Sequence, residues 1–404
     1  MKQKRSFFTA LFVIFIDFIG IGLIYPLFSS MIFDPKHPLL PAELDGKTRG
    51  LYLGLLLALM PLVQFFTAPL WGSLSDNYGR KKPLLASLAI AALGYVFLWA
   101  GASAHVIAYL FIGRALTGFA SGNTAIIQAS IADISEKESK SKNFAYYSMA
   151  VGSGFTLGPF LGGMLSTIGY DLPFIFTLAL VLINLLFAYT LFQETKEHLE
   201  KTPIKIKTAL LQLTKAFTLK DLRIIFLASF LHNFGWSYFF EFIPIYLIQK
   251  FSFDSFYLGT FYGLAGLFYA ISTGYLAQPI LRKFSNEFLF FAGNLLTGLT
   301  ILVILLLPSV SWLWVVLFLI CFFVSVVTPT STTIVSNAST QKFQGESLGI
   351  MSSVNAAALM LSPLFSGSLV GHFPSLSIKV GGSFMILASL VLLVILGKFE
   401  KPKQ

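Results

Sequence analysis

The sequence predicts an all-α membrane protein of twelve transmembrane helices in two pseudo-symmetric six-helix bundles, and three observations carry that prediction. The first is composition: of 404 residues, 56% are hydrophobic and only 11% charged, far from the roughly quarter-charged make-up of a soluble domain. The second is the length of the apolar runs. A helix needs about 20 mostly apolar residues to cross a bilayer, because every backbone polar group must be satisfied internally. The third is repetition. Gly72, Asp76 and Arg80, spaced by four, return as Gly274, Gln278 and Arg282 at an offset of 202. Gly158-Pro159-x-x-Gly162 returns as Ser362-Pro363-x-x-Ser366 at an offset of 204. Matching signals at nearly the same offset are the trace of a duplicated transporter fold with its binding site near the midplane, between the halves.

Taken in order, the spans of the first half are 7–33, 50–75, 83–102, 105–132, 144–168 and 173–192. Those of the second are 222–249, 257–280, 287–307, 311–337, 346–371 and 381–398. The domains follow: a bundle at 1–192, a linker at 193–221 and a bundle at 222–404. Lys2, Lys4 and Arg5 ahead of an apolar run resemble a signal peptide, but the run from Ser6 to Phe33 is too long and lacks an AxA cleavage site, so it reads as a retained first helix. Within the linker, Ile204 to Phe217 mixes lysines with Ile, Leu and Phe. That pattern serves either a helix lying on the membrane surface or a solvated connection.

Charge sets the sidedness. Of 28 Lys and Arg, 22 fall in loops on the side of the N-terminus, five on the other side, and Arg114 lies within a span. Both termini are therefore expected in the cytoplasm, with the chain in the cell inner membrane. The formal charge of +10 is spread between hydrophobic spans and builds no basic face for nucleic acid. Cys321 is the single cysteine, the five histidines stand apart, and no HExxH or CxxC spacing occurs. No metal or cofactor is expected. The expected partners are a small-molecule substrate, protons and the lipid bilayer, with the chain acting as a monomer.

Between the second and third spans, GSLSDNYGRKKP (72–83) packs one acid and three bases into a very short loop. Gly79 is able to take the left-handed conformation that stops a helix, and Pro83 suits the first turn of the next. The stretch resembles the loop signature of the major facilitator superfamily, carried here by Gly72, Leu74, Asp76, Gly79, Arg80 and Lys81. Arg114 and Gly118 in YLFIGRALTGF look like that superfamily's fourth-span motif. AVGSGFTLGPFLGGML, with Gly152, Gly158, Pro159, Gly162 and Gly163, is similar to the fifth-span motif of drug/proton antiporters. DFIGIGLIYPLF, with Asp17, Gly20, Gly22 and Pro26, is similar to the start of tetracycline/proton antiporters and related multidrug exporters. Those tetracycline exporters carry acids in the third and ninth spans. Here the corresponding places, Gly94-Tyr95 and Asn294, are uncharged, which points away from tetracycline itself.

The resemblance implies that Asp76 is part of a cytoplasmic gate. Its carboxylate would face the positive start of the eleventh span, near Gly345 and Ser347, in the outward-open state, and Arg80 would pair with Asp133. A carboxylate at a helix N-terminus gains about 0.3 to 1 kcal/mol, enough to bias two states and weak enough to break each cycle. Lys81 and Lys82 serve equally well as anchors to anionic headgroups.

Charges inside a bilayer usually mark pathways or relays. Asp17 lies roughly 15 Å into the first span at 1.5 Å per residue, Arg114 is similarly deep in the fourth, and Glu241 sits in the outer half of the seventh. Asp17 beside Arg114, with Glu241, forms the expected proton-coupling set; a static Asp17–Arg114 pair that only holds helices together is the structural alternative. Trp236, Tyr238 and Phe240 around Glu241 suit an amphipathic or cationic ligand, and Gln64, Asn123, Asn294 and Asn355 complete the expected cavity. With one arginine against two acids, dianionic phosphates do not fit.

The function that these features imply is proton-coupled export, by antiport and alternating access, of small amphipathic molecules such as drugs or a metabolite like a siderophore. An importer or facilitator on the same fold is the close alternative. An intramembrane enzyme using Ser153 and His232 leaves the duplication and the loop signature unexplained, and a sensor that moves no solute leaves the gate residues without a purpose.

Overall fold

The computed structural model describes residues 2–33, 39–41, 43–135, 140–196, 222–339 and 344–399, with a few positions between 211 and 219. Most of the linker, including ten of the fourteen residues 204–217, lies outside the described residues, so neither reading of that stretch is addressed. Among the described residues there is no strand. The elements are α1 (Lys2–Phe33), α2 (Gly46–Tyr78), α3 (Lys81–Ala104), α4 (Ile107–Ala120), α5 (Asn123–Asp133), α6 (Lys140–Ser166) and α7 (Leu172–Leu191). There follow α8 (Arg223–Phe251), α9 (Ser255–Ile271), α10 (Gln278–Lys283), α11 (Asn286–Val303), α12 (Val310–Ala338), α13 (Gln344–His372) and α14 (Leu376–Phe399).

Among the described residues, nine stretches are long and apolar enough to cross a membrane on that criterion alone. The other three spans are α4–α5, α6 and α8. The first is interrupted, the second is rich in glycine and serine, and the third carries the buried His232 and Glu241 and the half-buried Asn233. Together they complete the twelve-helix, two-bundle architecture.

Two spans depart from the continuous helices expected. The fourth breaks at Ser121-Gly122 into α4 and α5, and α2 supplies what the break needs. Trp71 Nε1 donates to the Phe119 carbonyl at 2.6 Å, Thr67 Oγ1 to the same oxygen at 3.4 Å, and Gln64 Nε2 to the Ser121 carbonyl at 3.3 Å. Carbonyls released from a helix inside a membrane have no water to turn to, so these donors make the break tolerable. Gln64 is thereby placed on backbone. The eighth span passes through a π-helical turn, Ser272–Leu276, before α10, at the repeated Gly274-x-x-x-Gln278 signal.

By contacts the chain divides into two compact units. Unit 1 comprises 1–44, 59–208 and 253–266, and unit 2 comprises 45–58, 209–252 and 267–404. Unit 1 has a core that includes Val13, Ile14, Trp71, Leu84, Leu88, Ile127 and Phe192. In unit 2 the corresponding layer includes Phe226, Phe290, Val327, Val335, Met351 and Leu392. Outward-facing residues stay apolar: Leu93, Leu182, Leu186, Leu299, Val315 and Leu390 are all exposed, as a lipid-facing surface requires. Lipid is as apolar as leucine, so helix association rests on close packing rather than on escape from water. Two helices of unit 1 show how: a Cβ on Gly158 of α6 would lie 2.5 Å from the Ile19 carbonyl of α1 and 2.9 Å from Gly22 Cα.

Candidate functional site

Asp17 sits on the inner face of α1, where α5 and α7 each bring an asparagine to it. Asn123 Nδ2 donates to Asp17 Oδ2 at 2.9 Å and Asn184 Nδ2 donates to Oδ1 at 3.1 Å. Asn184 is itself held by the Val13 carbonyl at 3.1 Å. Beside them lies a cavity of about 30 Å³ lined by Asp17, Met60, Tyr95, Thr117, Ser121 and Asn123 among others, enough for one or two water centres. A carboxyl between neutral amides with room for water is able to take and release a proton without breaking an ion pair.

This corrects one expectation. Asp17 takes its hydrogen bonds from Asn123 and Asn184 and not from Arg114. The Arg114 side chain donates to Met60 Sδ at 3.1 Å and lies 5.4 Å from the Phe28 ring centroid. Both charges remain within electrostatic reach of Tyr95, so they share a neighbourhood in unit 1 without forming a pair.

The loop at 72–83 forms a second cluster. Gly79 has φ +84°, the left-handed backbone that a chain reversal between α2 and α3 requires. Arg80, 5% exposed, reaches back with Nη1 to Asp76 Oδ1 at 2.9 Å and to Ser75 Oγ at 2.7 Å, and with Nε to Asp133 Oδ2 at 2.8 Å. Burial works against its charge, yet the bonds to Asp133 and Asp76 outweigh it, and the guanidinium holds its proton more firmly than in water. In this arrangement Asp76 is engaged by Arg80 and by Lys196 Nζ, at 2.7 Å.

Three residues of this corner escaped the sequence reading. Glu194 accepts from the backbone N–H of Arg80 at 2.7 Å and of Lys81 at 3.2 Å, capping the start of α3 from the far end of α7. Thr195 Oγ1 donates to Asp133 at 3.3 Å, and Lys196 holds Asp76. Any side chain at Gly79 would strike the Glu194 carboxylate. The Glu-Thr-Lys run lies just past the sixth span, inside the stretch read as linker, and carries no local signal of these contacts. Asn184 had a signal, a lone amide within LPFIFTLALVLINLLFAYTL.

The fifth-span glycines divide in two. Gly158 and Gly162 press on α1, and Gly163 meets Gly259 Cα at 2.6 Å from an added Cβ, whereas Gly152 has open space. A Cβ on Gly22 would lie 2.8 Å from Pro159 Cδ, so this proline packs directly on α1.

In unit 2, Glu241 is buried and accepts from Ser237 Oγ at 2.9 Å. Trp236 stacks on Phe240 with centroids 4.9 Å apart and planes 18° from parallel, while Tyr238 lies among Phe234 and Phe242. Asn355 Oδ1 accepts from Asn233 at 3.1 Å. Asn294, expected in a cavity, is wholly buried, with its oxygen on His232 and its amide on the Phe290 carbonyl. Among the described residues no group of His, Cys, Asp or Glu could hold a metal ion.

Known proteins share this organisation. The class G tetracycline resistance protein of Vibrio anguillarum is 30% identical over 365 residues, 90% of this chain and 89% of its own. The quinolone resistance protein NorA of Staphylococcus aureus is 27% identical over 370 residues, 91% of this chain and 90% of its own. Among solved structures, the human organic anion transporter MFSD10 superposes with a TM-score of 0.72 at 23% identity, covering 97% of this chain and 100% of that one. A POT family transporter gives 0.76 at 15% identity, covering 98% and 97%; both show likeness of fold. The family model of the Major Facilitator Superfamily matches residues 8–292 and 276–404, and with the loop signature, the duplicated halves and the membrane-spanning helices in place, the chain belongs to that superfamily of transporters.

Proposed function

We propose that the chain is a proton-coupled antiporter that exports small amphipathic molecules, neutral or singly positive, from the cytoplasm across the inner membrane, with both termini cytoplasmic. The observation that carries this reading is Asp17: a membrane-embedded carboxyl held by two neutral asparagines beside a cavity of about 30 Å³. A half-buried acid within a span, with no ion-pair partner among the described residues, is a default functional site in a membrane protein, and the water-sized space gives a proton somewhere to come from. The drug-resistance names of the relatives support export and a drug-like substrate. Glu241 with Trp236 and Phe240 supports a flat, partly apolar molecule with at most one positive charge. The corner at Asp76, Arg80 and Asp133 supports a cytoplasmic gate, because its bonds are between side chains that can change partners.

The test is a panel of amphipathic compounds applied to inverted vesicles, reading proton release. Asp17→Asn keeps the shape of the side chain and loses the proton, so gradient-driven accumulation is expected to vanish while ligand binding survives. Accumulation at the normal rate in that variant would move the coupling site elsewhere.

A further inference from the structure

His232 is a buried base to which the reading above gives no task. On α8, 7% exposed, it places Nδ1 2.7 Å from Asn294 Oδ1. The hydrogen can be located from its neighbour. Asn294 Nδ2 donates to the Phe290 carbonyl at 2.9 Å, so the amide oxygen faces the ring, and only an Nδ1–H satisfies it. The basic lone pair is left on Nε2, which makes no hydrogen bond among the described residues.

The place of this ring in unit 2 matches that of Asp17 in unit 1. A Cβ at Gly20 would meet Thr177 of α7 at 2.8 Å, and one at Gly235 would meet the Gly381 carbonyl of α14 at 2.9 Å. Thr177 and Gly381 each stand five residues after the start of their helix, Leu172 and Leu376. Gly20 and Gly235 are thus equivalent, and three residues before them stand Asp17, in Asp-Phe-Ile-Gly, and His232, in His-Asn-Phe-Gly. Their neighbours correspond as well. Tyr95, within reach of Asp17, follows Gly94, and Asn294 follows Gly293. Cβ atoms on these two glycines would lie 3.1 Å from the Gly113 carbonyl and 3.4 Å from the Phe323 carbonyl, each on the next span of its unit.

We propose that His232 is the proton-binding group of unit 2, the counterpart of Asp17; this rests on the proton-coupled reading. In the step concerned, hydronium gives a proton to the Nε2 lone pair, leaving water and an imidazolium whose Nδ1–H stays on Asn294, and discharge returns the proton to water. Among the described residues of unit 2, no charged side chain is in contact with the ring. On α8 the nearest charges are Arg223 and Glu241, each nine residues away, roughly 13 Å along the axis. Asn294 is what α11 presents, with Glu287 seven residues earlier, and α12 carries no ionisable charge between Val310 and Ala338. At the level of neighbouring Asn233, α13 presents Asn355, with Glu346 and His372 nine and seventeen residues away along it. Gly381 and Phe384 are what α14 sets against Gly235, and Lys379 near them is exposed. Water access and Asn294 therefore decide when the ring holds a proton.

The experiment uses the full chain in lipid nanodiscs with ¹⁵N-labelled histidine, the His232 signal being assigned by its absence in His232→Gln. Nε2 is expected to gain its proton on acidification, and Asn294→Asp to tighten proton binding about tenfold or more by placing a carboxylate on Nδ1–H. An Nε2 that stays unprotonated in both proteins down to the lowest pH at which the chain remains folded overturns the proposal. Transport by vesicles separates it from the reading on which it rests. Wild-type transport that ignores the pH gradient sinks proton coupling as a whole. Gradient-driven transport whose pH profile is the same in His232→Gln sinks His232 alone.

Discussion

The two ends of α2 are held in opposite ways. Its first turns lie in unit 2, where Gly46, Gly50 and Gly54 press against α13: an added Cβ at Gly50 would collide with the Gly367 carbonyl, and one at Gly371 with that of Gly46. Its last turn lies in unit 1, where Asp76 is gripped by Arg80 and Lys196. One end is built from missing side chains and the other from charged ones. A seam of bare backbone is all-or-none, because contact at that distance tolerates no intruding atom. A cluster of charges is adjustable, since each carboxylate can exchange one donor for another at a cost of the order of 1 kcal/mol. The same helix thus combines a rigid joint and a labile one.

The largest way to break this contrast is to fill the seam. Gly50→Leu is expected to cost about 1–3 kcal/mol through overpacking and to abolish transport; wild-type melting in detergent would show that the backbones are not in contact. Next comes Arg80→Gln, which leaves Asp76 and Asp133 short of a donor. The full cost of orphaning a buried carboxylate, about 3–5 kcal/mol, must be reduced because these side chains are 36% and 25% exposed. A loss of about 1–2 kcal/mol is expected, read as a lower melting temperature, with the gap to wild type narrowing in high salt because the exposed part of these pairs is screened. Glu194→Gln keeps its hydrogen-bonding reach and drops its charge at the start of α3, so about 0.3–1 kcal/mol is expected. An effect as large as that of Arg80→Gln would mean that Glu194 carries the corner.

The smallest effect is at the seam end. Asp45 caps α2 by accepting from Thr48 N–H at 3.0 Å, and that contact with Thr48 lowers its pKa below the ordinary aspartate value. A group whose folded pKa is depressed adds stability above its unfolded value and loses it as pH falls through the folded one. Asp45→Ala should therefore lower the melting temperature slightly at neutral pH, with the gap closing in acid below about pH 4. A gap that is constant with pH would show that the cap acts through its shape alone.

Much of this architecture was legible in the sequence because lipid allows few alternatives: a long apolar run has to be a helix. The loop at 72–83 was legible because Gly79 and Pro83 punctuate it. What stayed hidden was set by contacts between distant residues. Glu194 reaches Arg80 across 114 positions, and nothing local in Gln-Glu-Thr-Lys announces that. Asn123 and Asn184 displaced Arg114 as the partners of Asp17 because depth along a helix says how far a residue lies into the membrane and not which way it points. The break at Ser121-Gly122 was invisible for a related reason. Ser-Gly within an apolar run continues a helix or ends it according to whether Trp71 and Gln64 are there to take the freed carbonyls.

The glycines of the seam are crowded, but three others are not. A Cβ on Gly72, Gly152 or Gly274 would meet nothing within 4 Å, and two of these open the repeated corner of their unit. The molecule thus holds clearance that its present packing does not use. Clearance of this kind lets a second backbone approach without any rotamer having to turn. At the unit 1 corner the barrier to exchanging partners is then set by breaking the ion pairs of Asp76 with Arg80 and Lys196, and not by clearing side chains out of the way.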